Sequence, residues 1–413
     1  MKTIITIITI GFYLFYPAIT YSDSSRINAA QILWMGCKNY TEAEDSILKL
    51  KAAGVNTLIF RVFHNRYDRV YGFANPPTPP FTTSPSPPSK GGDTGEVKGG
   101  KGGVGVYFNT SYAPVVDDIL GKLTEIAHKN DLKIFAFMTT RKSDWLIENN
   151  PEFLESVYDF KNEAIVKGES LNIFNPEVIE RLKGVYRDLA RYDIDGILFQ
   201  DDLILRHTEG YSSEARSLFL RDTGFKANPI GMYNGVYQKN GKYLVSSYTP
   251  LFWEWSGWKS RKLSRLASEL MSAVREVNPN LKFAINLYYE TLTSPRNALA
   301  WLSQDIDEMM KYKFDYYAVM AYHRQMKKEM GFPDERIYEI LNDMTANITN
   351  KIAAPEKILM KVQVIAWDTR ISIPEDEIER VSRFIKKGGD VNMSFVPVTE
   401  DTPLGIIKRL FDN

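Results

Sequence analysis

The chain has 413 residues, 44% of them hydrophobic and 25% charged, enough for one large α/β core or two small ones. Its 51 Lys and Arg balance its 51 Asp and Glu, so no net field recruits nucleic acid or an anionic membrane surface. Its single cysteine, Cys37, excludes an intrachain disulfide and any thiolate metal cluster. At the N-terminus, Met1-Lys2 precedes an almost wholly apolar run from Ile4 to Tyr16, then Pro17 and a small polar cluster at Thr20, Ser22, Ser24 and Ser25. About a dozen apolar residues are too few for a spanning helix and suit a secretory leader over residues 1–22. The expectation is a secreted or periplasmic mature chain, residues 23–413. No Ala-x-Ala triplet marks a cleavage site, which leaves an uncleaved anchor as the alternative. Nothing later approaches ~20 consecutive apolar residues, so no integral membrane domain is expected after the leader.

Eight short β-type runs follow, most separated by a helical pattern: Ala29–Met35, Asn56–Phe63, Lys133–Met138, Asp195–Asp202, Lys282–Tyr288, Asp315–Tyr322, Ile358–Ile365 and Val391–Val396. Thr41, with Glu44 three residues on, predicts a capped helix from Thr41 to Ala53, and the apolar spacing predicts another over Pro114–Asn130. Further helices are expected over Pro176–Tyr192, Trp301–Tyr312, Pro374–Lys387 and Pro403–Phe411. Alternation of this kind predicts a parallel sheet, and eight units predict a closed (β/α)8 TIM barrel with long loop insertions at the C-terminal face of its strands. An open doubly wound sheet is the alternative, though no Gly-rich nucleotide loop follows the first run. Two stretches break the alternation. Residues 73–105, dense in Pro, Gly, Ser and Thr, read as a mobile insertion after the second strand. Residues 210–256 form a second excursion, with a hairpin expected around Asn240-Gly241 and an aromatic cluster, Phe252 to Trp258, read as a loop before a helix.

The ends of the runs are polar: Arg61 and His64, Thr139 to Arg141, Gln200-Asp201-Asp202, Asn286 with Tyr288 and Glu290, Tyr322-His323, and Trp367-Asp368. On a barrel they converge on one bowl of carboxylates, amides, Arg, His and aromatic rings, which suits a neutral, hydroxyl-rich ligand such as an oligosaccharide. Glycoside hydrolysis needs one carboxyl to protonate the leaving oxygen and another to attack, activate water or steady positive charge. Asp201 and Asp202 are the catalytic candidates; on a regular strand they point to opposite sides. Glu290 and Asp368 are candidate second carboxylates, with helix capping as their alternative role. Asp195, at the opposite strand end, reads as structural. His64 and His323 are candidates for hydrogen bonding to substrate, whereas His128 reads as a helix-end residue. No metal or other cofactor is expected, because the four histidines lack metal-site spacing; Gly-x-Ser-x-Gly and P-loop motifs are also absent. The rings ending at Trp258, followed by Lys259, serve either sugar stacking or packing.

Several elements together resemble the C-terminal glycoside hydrolase domain of PgaB-type exopolysaccharide proteins. They are Gly54–Leu58, Val106–Phe108, Asn175–Val178, Asp195-Gly-Ile-Leu-Phe-Gln-Asp-Asp202, Trp258–Arg261, Ala318–Tyr322 and Val362–Asp368. The Gly-Ile-Leu-Phe-x-Asp-Asp element is the most specific of these. The resemblance implies a hydrolase of partly de-N-acetylated poly-β-1,6-N-acetyl-D-glucosamine, a biofilm exopolysaccharide, with Asp201 and Asp202 in the catalytic centre and an aromatic-lined, electronegative groove for glucosamine units. Gln200 stands where the family commonly has His. The segment between leader and first strand is too short for the deacetylase domain of the best-known members, so a free-standing, endo-acting barrel is expected. The rival reading is a non-catalytic polysaccharide-binding barrel that works with polymer-export machinery.

Overall fold

The computed structural model describes residues 26–33, 37–66, 104–148, 150–239 and 241–412. The leader and nearly all of the 73–105 insertion lie outside them. All eight β-type runs supply barrel strands: β1 (Asn28–Ile32), β2 (Thr57–Arg61), β3 (Lys133–Met138), β4 (Gly196–Phe199), β5 (Lys282–Leu287), β6 (Tyr316–Ala321), β7 (Ile358–Gln363) and β8 (Asn392–Val396). Every neighbour pairs in parallel, and β1 joins both β2 (Ala29 opposite Thr57) and β8 (Ala29 opposite Ser394), which closes the ring. The fold is an eight-stranded parallel barrel wrapped in helices, a (β/α)8 TIM barrel.

The strands read as apolar runs because both faces are covered. In β4, Ile197, Leu198 and Phe199 are fully buried, each contributing roughly 1.5–3 kcal/mol of transfer free energy. Phe199 stacks on Tyr186 of the helix α3 (Pro176–Leu189) at 5.7 Å and on Phe283 of β5 at 6.1 Å. Gly196 permits the tight strand start: a Cβ there would collide with the Phe135 ring and lie 2.7 Å from the Lys282 carbonyl oxygen. Asp195 has the structural role expected of it, its Oδ2 accepting from the Ile134 N–H at 2.8 Å and facing His128 Nε2 at 3.0 Å.

Several helices begin elsewhere than the sequence pattern predicts. The helix α1 (Tyr40–Ala52) is capped by Asn39, whose Oδ1 accepts from the Glu42 N–H at 2.9 Å, not by Thr41. The Asx cap two residues earlier already pairs with its own acidic N3 residue, Glu42, which accepts from Lys38 N–H. The helix α2 (Leu120–Lys129) starts six residues after Pro114, because Pro114 to Val116 is drawn into backbone pairing with Val106 (Val106 N–H to Pro114 O, Val116 N–H to Val106 O, both 2.9 Å). The aromatic cluster is not a loop. It forms the first turns of the helix α4 (Pro250–Arg275), with Thr249 at the cap and Pro250 opening it. Trp301–Tyr312 is not one helix either, since Ser303, at φ +51, separates Pro295–Leu302 from Ile306–Met309. After β6, the sequence reading lacks the helix α5 (Asp334–Ile352), while α6 (Glu375–Gly388) and α7 (Leu404–Asp412) follow β7 and β8 as expected. The predicted hairpin is present as Tyr233–Lys239 against Lys242–Tyr248. No helix among the described residues is long and apolar enough to cross a membrane.

Candidate active site

The β4 ladder ends where the Gln200 N–H meets the Met138 carbonyl at 2.9 Å, and the two aspartates then diverge. Asp202 turns toward the loop that leaves β3. Its two oxygens accept from Thr139 Oγ1 (2.6 Å), Thr140 Oγ1 (2.7 Å) and the N–H groups of Thr140 (2.9 Å), Arg141 (2.7 Å) and Lys142 (2.7 Å). Five donors on one carboxylate make it the fastener of the β3 loop. Asp201 takes the other direction. Its side chain accepts from its own N–H, and burial pushes its carboxyl above the usual range, with the charge of Asp202 adding to the rise and Lys361, that hydrogen bond and Arg61 opposing it. Its backbone carbonyl accepts from the Tyr288 hydroxyl at 3.1 Å.

Lys361, in the middle of β7, is a buried cation on which the charge of Asp201 acts. Its Nζ donates to Asn286 Oδ1 at 2.8 Å, and the Asn286 amide in turn donates to the Phe199 carbonyl at 2.9 Å, tying β7 and β5 to the end of β4. Tyr322 lies over the same ammonium, 5.9 Å from ring centroid to Nζ, and meets Trp367 edge-on at 5.4 Å. Burial and then the charge of Asp201 raise the Tyr322 hydroxyl, so that ring also stands in the field of Asp201. Tyr288 is raised by burial and by Asp201, Asp202 and Glu290, which sets it among the three carboxylates. Glu290 itself is pushed up by burial, Glu329 adding to the rise. Asp201, Asn286, Tyr288, Tyr322 and Trp367 thus come together as expected, with Glu290 beside Tyr288.

Other sequence candidates are placed differently. Trp258 is not a sugar platform: it is buried within α4, sandwiched between Trp255 (5.0 Å) and Phe174 (5.2 Å), with its indole N–H donated to Asp222. Lys259, equally buried, spends its ammonium on the carbonyls of Arg206 (2.8 Å) and Glu209 (3.1 Å), so it anchors the β4 loop instead of meeting ligand. His323 starts the helix His323–Met330, and its Nε2 lies 2.7 Å from Glu377 of α6. Burial pushes the Glu377 carboxyl up, but its hydrogen bonds with Arg324 and His323 outweigh that and hold it down at about 2. His64 is buried edge-on against Tyr107, in a two-residue strand paired with Gly105–Val106. That pairing places Gly105, the last residue of the predicted insertion, in ordered structure. Arg61 lies over the Phe63 ring at 4.0 Å. The Gln200 side-chain Oε1 is buried without a partner, and Asp368 is exposed near Lys328 at 3.6 Å.

A second buried ionic group stands behind the β3 loop. Arg141 lies 2.9 Å from Glu209 and 4.0 Å from Glu155, so Glu209 carries the paired charge. Burial pushes the Glu155 carboxyl up to about 7, more than the Arg141 charge lowers it, while Lys259 is lowered by burial to about 7. A carboxyl raised on folding contributes stability below its unfolded value that is lost as pH rises through the folded one. Glu155→Gln is therefore expected to flatten the fall in thermal stability between pH 4.5 and 7, a difference of up to about 3 kcal/mol, read from melts across that range. Parallel curves for wild type and Glu155→Gln over that window would contradict the assignment; the comparison separates Glu155 from His207, which burial lowers to about 4 and which adds stability as pH rises. Lys361, Glu377 and the partners of Arg141, Glu155 and Glu209, escaped the sequence reading, which placed Arg141 at a strand end. Lys361 carried a signal, a lone cation inside an apolar strand run. Among the described residues no group of three or more His, Cys, Asp or Glu is arranged to hold a metal ion.

The sequence profile of a family described as "Hypothetical glycosyl hydrolase family 13" matches residues 97–396, more than half of the chain. No match was found among curated proteins. Among solved structures, the PgaB (BpsB) glycoside hydrolase domain from Bordetella bronchiseptica is similar with a TM-score of 0.67 and 17% identity, over 90% of this chain and 94% of that one. The catalytic domain of β-amylase from Paenibacillus polymyxa is similar with a TM-score of 0.55 and 9% identity, over 93% and 98%. A β-galactosidase from Marinomonas ef1 gives 0.57 and 9%, over 93% of this chain and 58% of that one. At these identities the structural likenesses show the barrel fold. The profile match goes further: this chain belongs to the family described as hypothetical glycosyl hydrolase family 13.

Proposed function

We propose that the chain is a secreted or periplasmic, endo-acting glycoside hydrolase of a partly de-N-acetylated poly-β-1,6-N-acetyl-D-glucosamine-type exopolysaccharide. The observation that carries this reading is the division between two adjacent carboxyls. Asp201 is half-buried, carries a raised carboxyl and is bonded only by its own N–H among the described residues, the environment of a proton donor. Asp202 accepts on both oxygens and keeps a fixed negative group beside it. In the reaction, Asp201 gives its proton to the leaving glycosidic oxygen as the C–O bond breaks, the charge of Asp202 steadies the oxocarbenium-like carbon, and water adds to that carbon and releases a proton that restores the Asp201 carboxyl. Tyr322 and Trp367 offer ring faces to the sugar, while Tyr288 and Glu290 border the bowl. The substrate is the one that the sequence elements resembling PgaB-type hydrolases imply, the run Gly196 to Asp202 foremost.

Incubating the purified chain with that polymer, chemically deacetylated to a known extent, tests the proposal by mass spectrometry of the soluble products. Release of shorter oligosaccharides from internal positions is the expected result. Polymer retained at full length on the protein would establish the binding-barrel reading in its place.

A further inference from the structure

Lys361 is an ammonium in a place that ordinarily holds a branched apolar side chain, the interior of a barrel strand. It is 1% exposed. Of its three N–H donors, one goes to Asn286 Oδ1, and the Phe137 and Tyr322 rings lie 5.7 and 5.9 Å away. An ammonium this buried needs a counter-charge, because desolvation far exceeds what one neutral amide and two rings return. The carboxylate whose charge acts on it is Asp201. The link is also mechanical, since Lys361 holds Asn286 and Asn286 holds the Phe199 carbonyl, two residues before Asp201.

We propose that Lys361 is the positioning residue of the reaction centre: its buried charge, braced by Asn286 against the end of β4, sets how tightly Asp201 holds its proton. This rests on Asp201 being the proton donor. The charged and titratable groups around the pair are Asp202 and Arg61, which act on Asp201, and Tyr288, Tyr322, Arg206 and Glu290 at the bowl wall. The Arg61 and Lys361 cations both oppose the burial and the Asp202 charge that raise the carboxyl. Burial in turn lowers the Lys361 ammonium to about 8, with Asp201 holding it up. An acid whose proton is held too tightly is a poor donor, and one held too loosely is ionised at the working pH. A fixed cation whose charge reaches the carboxyl is a means of setting that balance.

Lys361→Gln keeps a hydrogen-bond donor for Asn286 and removes the charge; Lys361→Met removes both. With either, the alkaline limb of the pH profile of kcat/KM for polymer cleavage is expected to move up by about one pH unit or more. A limb that stays in place in both variants would overturn the proposal. A measurement independent of hydrolysis accompanies it, the melting temperature of Lys361→Gln in wild-type and Asp201→Asn backgrounds at pH 7. Coupled charges predict a smaller loss in the Asp201→Asn background. Equal losses would overturn the pairing even with cleavage intact. Coupled losses with no cleavage by the wild type would leave the pair standing, overturn the hydrolase reading and remove the positioning role with it.

Discussion

Asp202→Ala is expected to lower the stability of the fold by about 3–5 kcal/mol, the scale of removing one partner from a buried, multiply bonded charged group. The substitution leaves three backbone N–H groups, from Thr140, Arg141 and Lys142, and two threonine hydroxyls without their acceptor. Each buried orphan loses roughly 1–3 kcal/mol in isolation, and relaxation with entering water recovers part of the sum. The damage spreads along the chain, because the loop so fastened presents Arg141, whose guanidinium holds Glu209 and the Ile204 carbonyl. Asp202→Asn is expected to be milder and still destabilising, since its NH2 group faces donors where an oxygen stood. Urea denaturation of the two variants reads both effects. A midpoint within error of wild type for Asp202→Ala would mean that the five bonds do not hold in solution.

Asp201→Asn is expected to cost far less stability while removing the reaction. Its carboxyl is held above its unfolded value, so the fold disfavours its ionised form, and the stability this contributes at low pH is lost as pH rises through the folded value. An amide of the same shape removes that penalty and with it the charge that acts on Lys361, so the melting temperature at pH 7 is expected to move much less than in Asp202→Ala. Polymer cleavage is expected to fall by about 10²–10⁴, the usual contribution of a positioned proton donor. Reducing-end release and a thermal melt on the same preparation check both halves. Cleavage near the wild-type rate would take Asp201 out of the proposed chemistry. Two neighbouring aspartates with such unequal stability effects are the signature of one carboxyl bonded into the fold and one left able to move a proton.

This contrast could not be read from Asp201-Asp202 as letters. Adjacent positions on a strand predict divergent side chains, and they do diverge. Which of them meets five donors depends on how the β3 loop, sixty residues earlier in the chain, closes over the end of β4. The same limit explains Trp258 and Lys259. A run of aromatic residues followed by basic ones is compatible with a sugar platform or with a packed helix. Thr249 and Pro250 start the helix early enough to turn those rings into the core. His64 and His323 stand at strand ends as expected, but their ring nitrogens face Tyr107 and Glu377.

Apolar runs at barrel spacing, each closed by polar residues, determined by themselves the number and order of the barrel strands and the place of Asp201 and Asp202 just past the end of β4. Local pattern suffices there because a strand buried on both faces has few alternatives in composition. Partners distant in sequence decided the rest: the five donors that fasten Asp202, the burial that raises Asp201 and the buried Lys361 whose charge opposes that rise. A carboxyl's proton affinity and reach come from burial and from charges brought within a few ångströms by strand closure, and neither quantity exists until the barrel has formed.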